Sequence, residues 1–315
     1  MANGSLLVNK EIGLTSRQEV NNVSRKLNER KAGHIGTLDP FADGLLIILL
    51  GSSTKISPFL EIMDKKYLAT LKLGDKTNTG DLTGEVIERK EIPILTKEKI
   101  IETLHTFLGE QTQIPPMFSA LKVNGKELYK YAREGKKIER KERHIKIFNI
   151  DLVNFEKDEI TFIAKVSKGT YIRTLGEDIA EKLGTVGHLT KLTRLEVGPY
   201  SLKDAKRSSE VTEKDLIPIS KMLAHFKTFE VEGELAKKAL NGMHFRLPIE
   251  DEEILLKDKD GIIALYKREE SGVYSCVRGL RWKPFWWIIK NHAKDLSLCR
   301  FVLVILMVFT LDIKN

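Results

Sequence analysis

The sequence predicts a fold that mixes α-helices with β-strands and is divided into two domains. Apolar residues recur at helical spacing after Ser16 and after Thr96, which indicates two amphipathic helices. Residues 65–73 and 160–166 instead alternate between apolar and polar side chains, as half-buried strands do. A chain of 315 residues is long enough for one large and one small domain.

The composition is that of an ordinary soluble globular protein with a basic surface. Hydrophobic residues make up 42% of the chain and charged residues 30%, which excludes a disordered chain of low hydrophobicity. The net charge of +8 favours a polyanionic partner, either a nucleic acid or a membrane surface.

The cysteines and histidines exclude a disulfide framework and a metal centre. Cys276 and Cys299 lack Cys-x-x-Cys spacing, and the histidines lack ligand spacing. We therefore expect no metal, and a reducing cytosol fits best. The first residues contain neither the basic region nor the apolar core of a secretion signal, so a cytoplasmic location is expected.

The first elements are a strand at residues 5–9 and a helix that follows it. Ser16 and Glu19 have the Ser-x-x-Glu spacing of a capping box, so we predict that the helix begins there and ends near Arg30. Lys10 closes the strand and is followed by Glu11.

Residues 33–44 read Gly-His-Ile-Gly-Thr-Leu-Asp-Pro-Phe-Ala-Asp-Gly. Pro40 is suited to a first helical position and holds Asp39 extended before it, and the apolar run 45–50 follows. A loop that turns into a helix is therefore predicted. From these residues alone, Asp39 is either an ordinary helix N-cap or a functional carboxylate.

The next stretch contains a strand, a polar loop, a short strand and a helix. Tyr67 stands near the beginning of strand 65–73, where packing is the usual role of a tyrosine. Residues 77–84 are small and polar and form a loop before strand 86–88. The helix after Thr96 ends at Gly109.

Residues 122–146, called here the basic segment, carry more basic than acidic side chains. Lys122 and Lys130 belong to it, and Tyr129 and Tyr131 are interleaved with the cations. Such a segment suits RNA phosphates and exposed bases, although a solvated charged face has the same composition.

Two strands, 144–153 and 160–166, lead into the sequence Ser-Lys-Gly-Thr-Tyr-Ile-Arg-Thr at residues 167–174. Thr174 and Glu177 have capping-box spacing, which predicts that a helix begins at Thr174. Arg173 would then lie where a strand becomes a helix. On its own it indicates no more than a surface ion pair.

A smaller domain is predicted after a connector near residues 216–218. Residues 234–240 form a helix, and Asp260-Gly261 between two apolar runs predicts a β-hairpin, with a third strand at 273–277. The predicted boundaries are residues 1–228, 229–280 and a tail at 281–315. The tail is rich in tryptophan and aliphatic residues but too short to span a bilayer because Arg300 interrupts it. It could be a packed appendage, an interfacial anchor or a reading-frame artefact.

Four separated motifs resemble those of the bacterial tRNA pseudouridine-55 synthase family, the TruB group. They are the stretch 33–44, Tyr67 with the loop 77–84, residues 114–135, and residues 167–174. The resemblance extends from about residue 6 to residue 280. It implies an α+β fold, with a catalytic domain around a mixed, largely antiparallel sheet and a small PUA-like RNA-binding β domain at residues 229–280.

The resemblance also implies the site. Asp39 matches the catalytic aspartate, Arg173 the arginine that pairs with it, and Tyr67 the tyrosine that stacks on the target base and assists proton removal. His34 and Leu192 would contact the extruded nucleotide. Lys10 matches a lysine of the family that is usually followed by proline rather than by Glu11, and Lys122 and Lys130 would contact RNA.

The implied reaction isomerises the uridine at position 55 in the tRNA T loop after the base is flipped out. Breaking the N1–C1′ bond and joining C5 to C1′ needs no redox cofactor, ATP or metal, so no cofactor is expected. The implied partner is the T arm of tRNA, with no DNA and no membrane, and the protein is expected to be a monomer. Two alternatives remain: a non-catalytic tRNA-binding or folding factor on the same scaffold, and a membrane-associated protein that uses the tail.

Overall fold

The computed structural model describes residues 2–136 and 138–281, and these divide into two compact units between Leu223 and Ala224. The sequence-based boundary after residue 228 lies a few residues further along the chain. The predicted tail at 281–315 lies outside the described residues except for Arg281. Among the described residues, none of the helices has the length and apolar character needed to cross a membrane.

The strands of the first unit are β1 (Gly4–Lys10), β2 (Ala32–Ile35), β3 (Asp43–Leu50), β4 (Lys65–Leu73), β5 (Asp75–Thr77), β6 (Val86–Arg89), β7 (Gly109–Gln113), β8 (Lys122–Val123), β9 (Lys126–Glu127), β10 (Arg143–Glu156), β11 (Glu159–Val166), β12 (Gly187–Val197) and β13 (Tyr200–Ser201). Its α-helices are α1 (Ser16–Lys26), α2 (Ser57–Glu61), α3 (Lys97–His105), α4 (Leu128–Arg133), α5 (Ile172–Lys182) and α6 (Ile219–Met222). Short 3₁₀ turns lie at Gly51–Ile56, Leu202–Asp204 and Glu213–Asp215.

A mixed, largely antiparallel sheet forms the centre of the first unit, as the family resemblance implied. Its order is β1-β3-β12-β4-β11-β10-β7, with β2 beside β3 and β13 beside β12. Strands β3 and β12 run parallel to each other, and the other pairings of this sheet within the described residues are antiparallel. Leu6, Val20, Ile48, Phe162 and Ile179 are among the buried side chains that form its core.

The prediction that Asp39 stands before a helix was wrong. The run Leu45–Leu50 is part of strand β3, and every side chain in it is fully buried. A short run that is apolar at every position can be buried on both sides of a strand, and here β3 lies inside the sheet between β1 and β12. Asp39 therefore caps no helix and lies in the turn between β2 and β3.

Both predicted capping boxes were also misplaced. Helix α1 is capped by Thr15, whose side chain pairs with Gln18, and it ends at Lys26 rather than near Arg30. Ser16 instead exchanges hydrogen bonds with the backbone of Leu38. Helix α5 begins at Ile172, two residues before the predicted Thr174. In both places tertiary contacts override the local pattern.

The second unit consists of β14 (Lys227–Glu230), α7 (Gly233–Leu240), β15 (Phe245–Arg246), β16 (Glu253–Asp258), β17 (Gly261–Arg268) and β18 (Val273–Gly279). Its sheet has the order β14-β16-β17-β18-β15, and the hairpin predicted at Asp260-Gly261 joins β16 to β17. Tyr266 and Tyr274 are fully buried in its core, and their hydroxyls donate hydrogen bonds to backbone carbonyls.

Candidate active site

A cleft of about 990 Å³ opens in the first unit and brings together the predicted motifs. Its walls come from the β2–β3 turn, the start of β4, residues 119–121, the start of β10, residues 167–173 and strand β12. Asp39, Tyr67, Arg173, His34 and Leu192 all line it. Residues that are far apart in the sequence therefore meet at one site.

Asp39 and Arg173 form a two-point ion pair at this cleft. Arg173 Nε lies 2.9 Å from Asp39 Oδ2, and Arg173 Nη2 donates a hydrogen bond of 3.2 Å to Oδ1. The arginine side chain is only 4% exposed, whereas 32% of the Asp39 side chain remains exposed. The pairing therefore fixes the carboxylate while leaving part of it open to a substrate.

Three further groups hold the Arg173 guanidinium in place. Nη1 donates to the carbonyl of Thr79 at 2.7 Å and lies 3.5 Å from the buried Asp81 carboxylate. Nη2 also donates to the carbonyl of Phe118 at 2.7 Å. The planar guanidinium therefore has a bonded partner at each of its nitrogens, which is an arrangement that a lysine cannot reproduce.

The charge state of Asp39 depends on two opposing effects. Burial raises the pKa of Asp39 above its ordinary value of 3.8, and the nearby Asp81 carboxylate acts in the same direction. The Arg173 guanidinium opposes this shift through its charge and its hydrogen bond. Arg173 thus favours the ionised form of a carboxylate whose neutral form is favoured by burial.

The start of helix α5, which carries Arg173, is held by Gln113 at the end of β7. The Gln113 side-chain oxygen accepts a hydrogen bond from Tyr171 N at 2.8 Å, and its amide nitrogen donates to Tyr171 O at 3.1 Å. Tyr171 is the N-cap residue of α5 but makes no side-chain cap. A buried side chain from another element therefore replaces the predicted capping box.

Arg194 holds the turn that carries Asp39. This arginine is 1% exposed and donates hydrogen bonds to the carbonyls of Leu45 at 2.7 Å and Gly36 at 2.9 Å. Those two carbonyls lie on either side of Asp39 in the sequence. Ser16 adds its exchange of hydrogen bonds with Leu38, so the position of Asp39 is fixed from both directions.

Tyr67, Leu192 and His34 line the same cleft as the Asp39 carboxylate. Tyr67 is 9% exposed and Leu192 7%, and they come from the neighbouring strands β4 and β12. His34 Nε2 lies 3.3 Å from Thr37 Oγ1. Burial, together with Arg17 and Arg194, lowers the pKa of His34 to about 4, so its ring is neutral at pH 7.

Comparison with known proteins shows the family to which this chain is related. The sequence model described as "TruB family pseudouridylate synthase (N terminal domain)" matches residues 24–172. The "tRNA pseudouridine synthase B" of Hydrogenovibrio crunogenus is 44% identical over 256 residues, covering 80% of this chain and 84% of that protein. The protein of the same name from Clostridium kluyveri is 43% identical over 268 residues, covering 84% and 91%.

The chain belongs to the TruB family. The resemblance found in the sequence motifs is thereby confirmed, and the fold agrees with it. A chain of the solved "Cbf5-Nop10-Gar1 Complex" superposes with a TM-score of 0.68 at 22% identity, covering 89% of this chain and 85% of its own. A chain of an "H/ACA RNP bound to a substrate RNA containing 2'-deoxyuridine" gives 0.66 at 21%, covering 90% and 87%. At such identities the likeness concerns the fold.

Three residues that the TruB resemblance suggested for RNA binding do not line the cleft. Lys10 is fully buried, and its Nζ donates to the carbonyls of Glu11 at 2.9 Å and Leu14 at 2.6 Å. It is neither a solvated lysine nor a cleft residue. Lys122 and Lys130 lie on the exposed β8–α4 region, 3.7 Å and 2.8 Å from carboxylate oxygens of Glu127.

Sequence reasoning missed several residues at this cleft. Asp81, Gln113 and Arg194 are buried polar side chains that hold Arg173, the start of α5 or the turn that carries Asp39. None of the three could be singled out from the sequence, since their partners lie far away along the chain.

Proposed function

We propose that this protein isomerises a uridine of tRNA to pseudouridine, and that its target is the uridine at position 55 of the T loop. The observation that carries the proposal is the Asp39–Arg173 ion pair in a cleft shared with Tyr67 and Leu192. Membership of the TruB family supports the reaction class. A factor that only bound tRNA would have no need of a half-open carboxylate clamped by a buried arginine.

Asp39 supplies the ionised carboxylate. The reaction breaks the N1–C1′ bond, turns the uracil, joins C5 to C1′, removes the C5 proton and leaves a proton on N1. A carboxylate can assist by attacking the base or the sugar, or by taking the 2′ proton. Arg173 keeps it charged and oriented, and the exposed third of its side chain is where a substrate atom reaches it.

Tyr67 and Leu192 hold the extruded base. A uracil taken out of its stack loses stacking energy of a few kcal/mol, and an aromatic face restores part of it. Tyr67 is also placed to assist removal of the C5 proton. The neutral ring of His34 fills the space that the flipped nucleotide leaves in the loop.

The RNA outside the target nucleotide is held by other surfaces. Lys122 and Lys130 lie in the basic segment with Tyr129 and Tyr131, and Arg133 lies 5.5 Å from the centre of the Tyr129 ring. We propose that this segment contacts the T arm, and that the second unit acts as a PUA-like RNA-binding domain. Lys10 supports the loop at residues 11–14 rather than touching RNA.

The test is to map pseudouridine in an unmodified tRNA transcript after incubation with the full-length protein, using mass spectrometry of nuclease fragments. We expect one pseudouridine, at position 55. A transcript with cytidine at that position is the control and should gain none. Pseudouridine elsewhere in the tRNA, or none in the unaltered transcript, would contradict the proposal.

A further inference from the structure

Two buried cations lie at the wall of the cleft. Lys65 is 7% exposed and Arg194 is 1% exposed, and both line the cleft. In the part of the chain that the structure describes, neither has a carboxylate oxygen within 4.0 Å. Buried charges are normally paired, because removing an ion from water without a counter-charge is costly.

Among the described residues, backbone carbonyls accept hydrogen bonds from some N–H groups of Lys65 and Arg194 and leave other N–H groups open. The Lys65 amine donates to the carbonyls of Glu61 and Met63, both at 2.6 Å, which accounts for two of its three protons. Arg194 uses Nε and Nη2 for the carbonyls of residues 35, 36 and 45. Within residues 2–136 and 138–281 its Nη1 has no hydrogen-bond acceptor.

Gly36 brings the two cations together. A Cβ atom at this position would lie 3.2 Å from Arg194 Nη1 and 3.9 Å from Lys65 Cε, so the bare glycine adjoins both side chains. Gly36 has φ of +63° and precedes Asp39 by three residues. The open donors therefore lie beside the turn that carries the catalytic carboxylate.

The charged groups around Lys65 and Arg194 leave this part of the cleft wall positive. Burial and the neighbouring Arg194 lower the pKa of Lys65 to about 8, and Lys168 acts in the same direction. Glu61 and Asp64 oppose that shift. The Glu61 carboxylate, however, accepts a hydrogen bond from Ser57 Oγ at 2.8 Å on its own helix.

We propose that Arg194 Nη1 and Lys65 Nζ bind one phosphodiester group of the RNA, next to the target nucleotide. A phosphate oxygen is the anion that an RNA substrate brings to this cleft, and Arg and Lys are its usual partners. The inference rests on the proposed function for the identity of the ligand. It adds a fixed phosphate contact that would set the position of the flipped nucleotide relative to Asp39.

The test is a binding cycle between protein and RNA variants. T-arm hairpins are prepared with a single neutral methylphosphonate at each phosphate near the target uridine. Their affinities are measured by fluorescence anisotropy with full-length Asp39→Asn protein, so that the uridine is not converted. At one phosphate, the methylphosphonate should weaken binding about 10- to 100-fold, as expected for loss of a hydrogen bond to a charged group.

In protein that also carries Lys65→Gln, the same methylphosphonate should weaken binding much less, because only the Arg194 contact is left to lose. Lys66→Gln is the matched control, because it removes the same charge from the adjacent residue, which pairs with Glu196 at 3.4 Å. This control should retain full sensitivity to the methylphosphonate. Full sensitivity of Lys65→Gln at every phosphate, or an equal loss in Lys66→Gln, would overturn the proposal.

Amine labelling of the unaltered protein covers the case in which Lys65→Gln does not fold. RNA should protect Lys65 from acetylation several-fold, the hairpin with the critical methylphosphonate should not, and Lys66 should react equally in both. Equal labelling of Lys65 with and without RNA would refute the site. So would protection of Lys65 by inorganic phosphate, if the hairpin with the methylphosphonate also protected Lys65 as well as the unmodified hairpin does. If Lys65→Gln reduces the sensitivity to the methylphosphonate but the unaltered protein forms no pseudouridine, only the proposed function would be contradicted.

Discussion

Replacing Arg173 by lysine tests whether the geometry of the ion pair matters beyond its charge. The guanidinium makes two contacts with Asp39, one with the carbonyl of Thr79 and one with that of Phe118, and it lies near Asp81. An ammonium group donates from a single point and cannot span these positions. At least two of these four contacts would be lost.

The magnitude follows from those losses. At about 1 kcal/mol for each net hydrogen bond, Arg173→Lys should lower the free energy of unfolding by about 2 kcal/mol. For a domain of this size the Tm should fall by about 4–8 °C. The Asp39 carboxylate would also shift, and a misplacement of about 1 Å typically lowers the rate about 100-fold.

The assays are thermal unfolding by circular dichroism and single-turnover pseudouridine formation with saturating protein. Arg25→Lys is the control, because Arg25 is exposed on helix α1. It should change neither Tm nor rate appreciably. An Arg173→Lys protein with unaltered Tm and rate, or an Arg25→Lys protein that is equally impaired, would refute the role given to the guanidinium.

Two further predictions concern the pH profile and the support of helix α5. Activity needs ionised Asp39, and burial raises the pKa of its carboxyl group. The acidic limb of the kcat/KM profile should therefore rise with pH through an apparent pKa above 3.8. Arg173→Met should move this acidic limb to higher pH, because it removes the cation that lowers the pKa of Asp39. An unchanged limb in Arg173→Met would contradict this. Gln113→Leu removes both hydrogen bonds to Tyr171 and should cost about 1–3 kcal/mol in unfolding free energy, measured by urea denaturation. Gln113→Leu protein as stable as wild type would exclude the positioning role.

Much of the fold could be predicted because its signals are local. The strand at 65–73, the helix after Thr96 and the hairpin at Asp260-Gly261 follow from periodicity and turn residues, and the structure has all of them. The run 45–50 was misassigned because an apolar run without alternation fits a buried strand and a helix equally well. Only its neighbours in the sheet distinguish the two.

The residues of the candidate site also fall into those that a local signal indicates and those that it does not. Asp39, Tyr67 and Arg173 could be proposed because each lies in a motif that resembles the TruB family. Arg194 and Gln113 could not, since their role depends on carbonyls more than 50 residues away in the sequence. Their partners become visible only when the strands are assembled.

The most direct test of the central proposal compares unaltered protein with Asp39→Asn on a T-arm hairpin. Asparagine keeps the size of the side chain and a carbonyl oxygen for Arg173, but it is a poor nucleophile and base. At RNA concentrations that saturate both proteins, the unaltered protein should convert the loop uridine to pseudouridine, and Asp39→Asn should bind the RNA without converting it. Equal conversion by Asp39→Asn, or binding without conversion by both proteins, would contradict the assignment of Asp39 as the catalytic carboxylate.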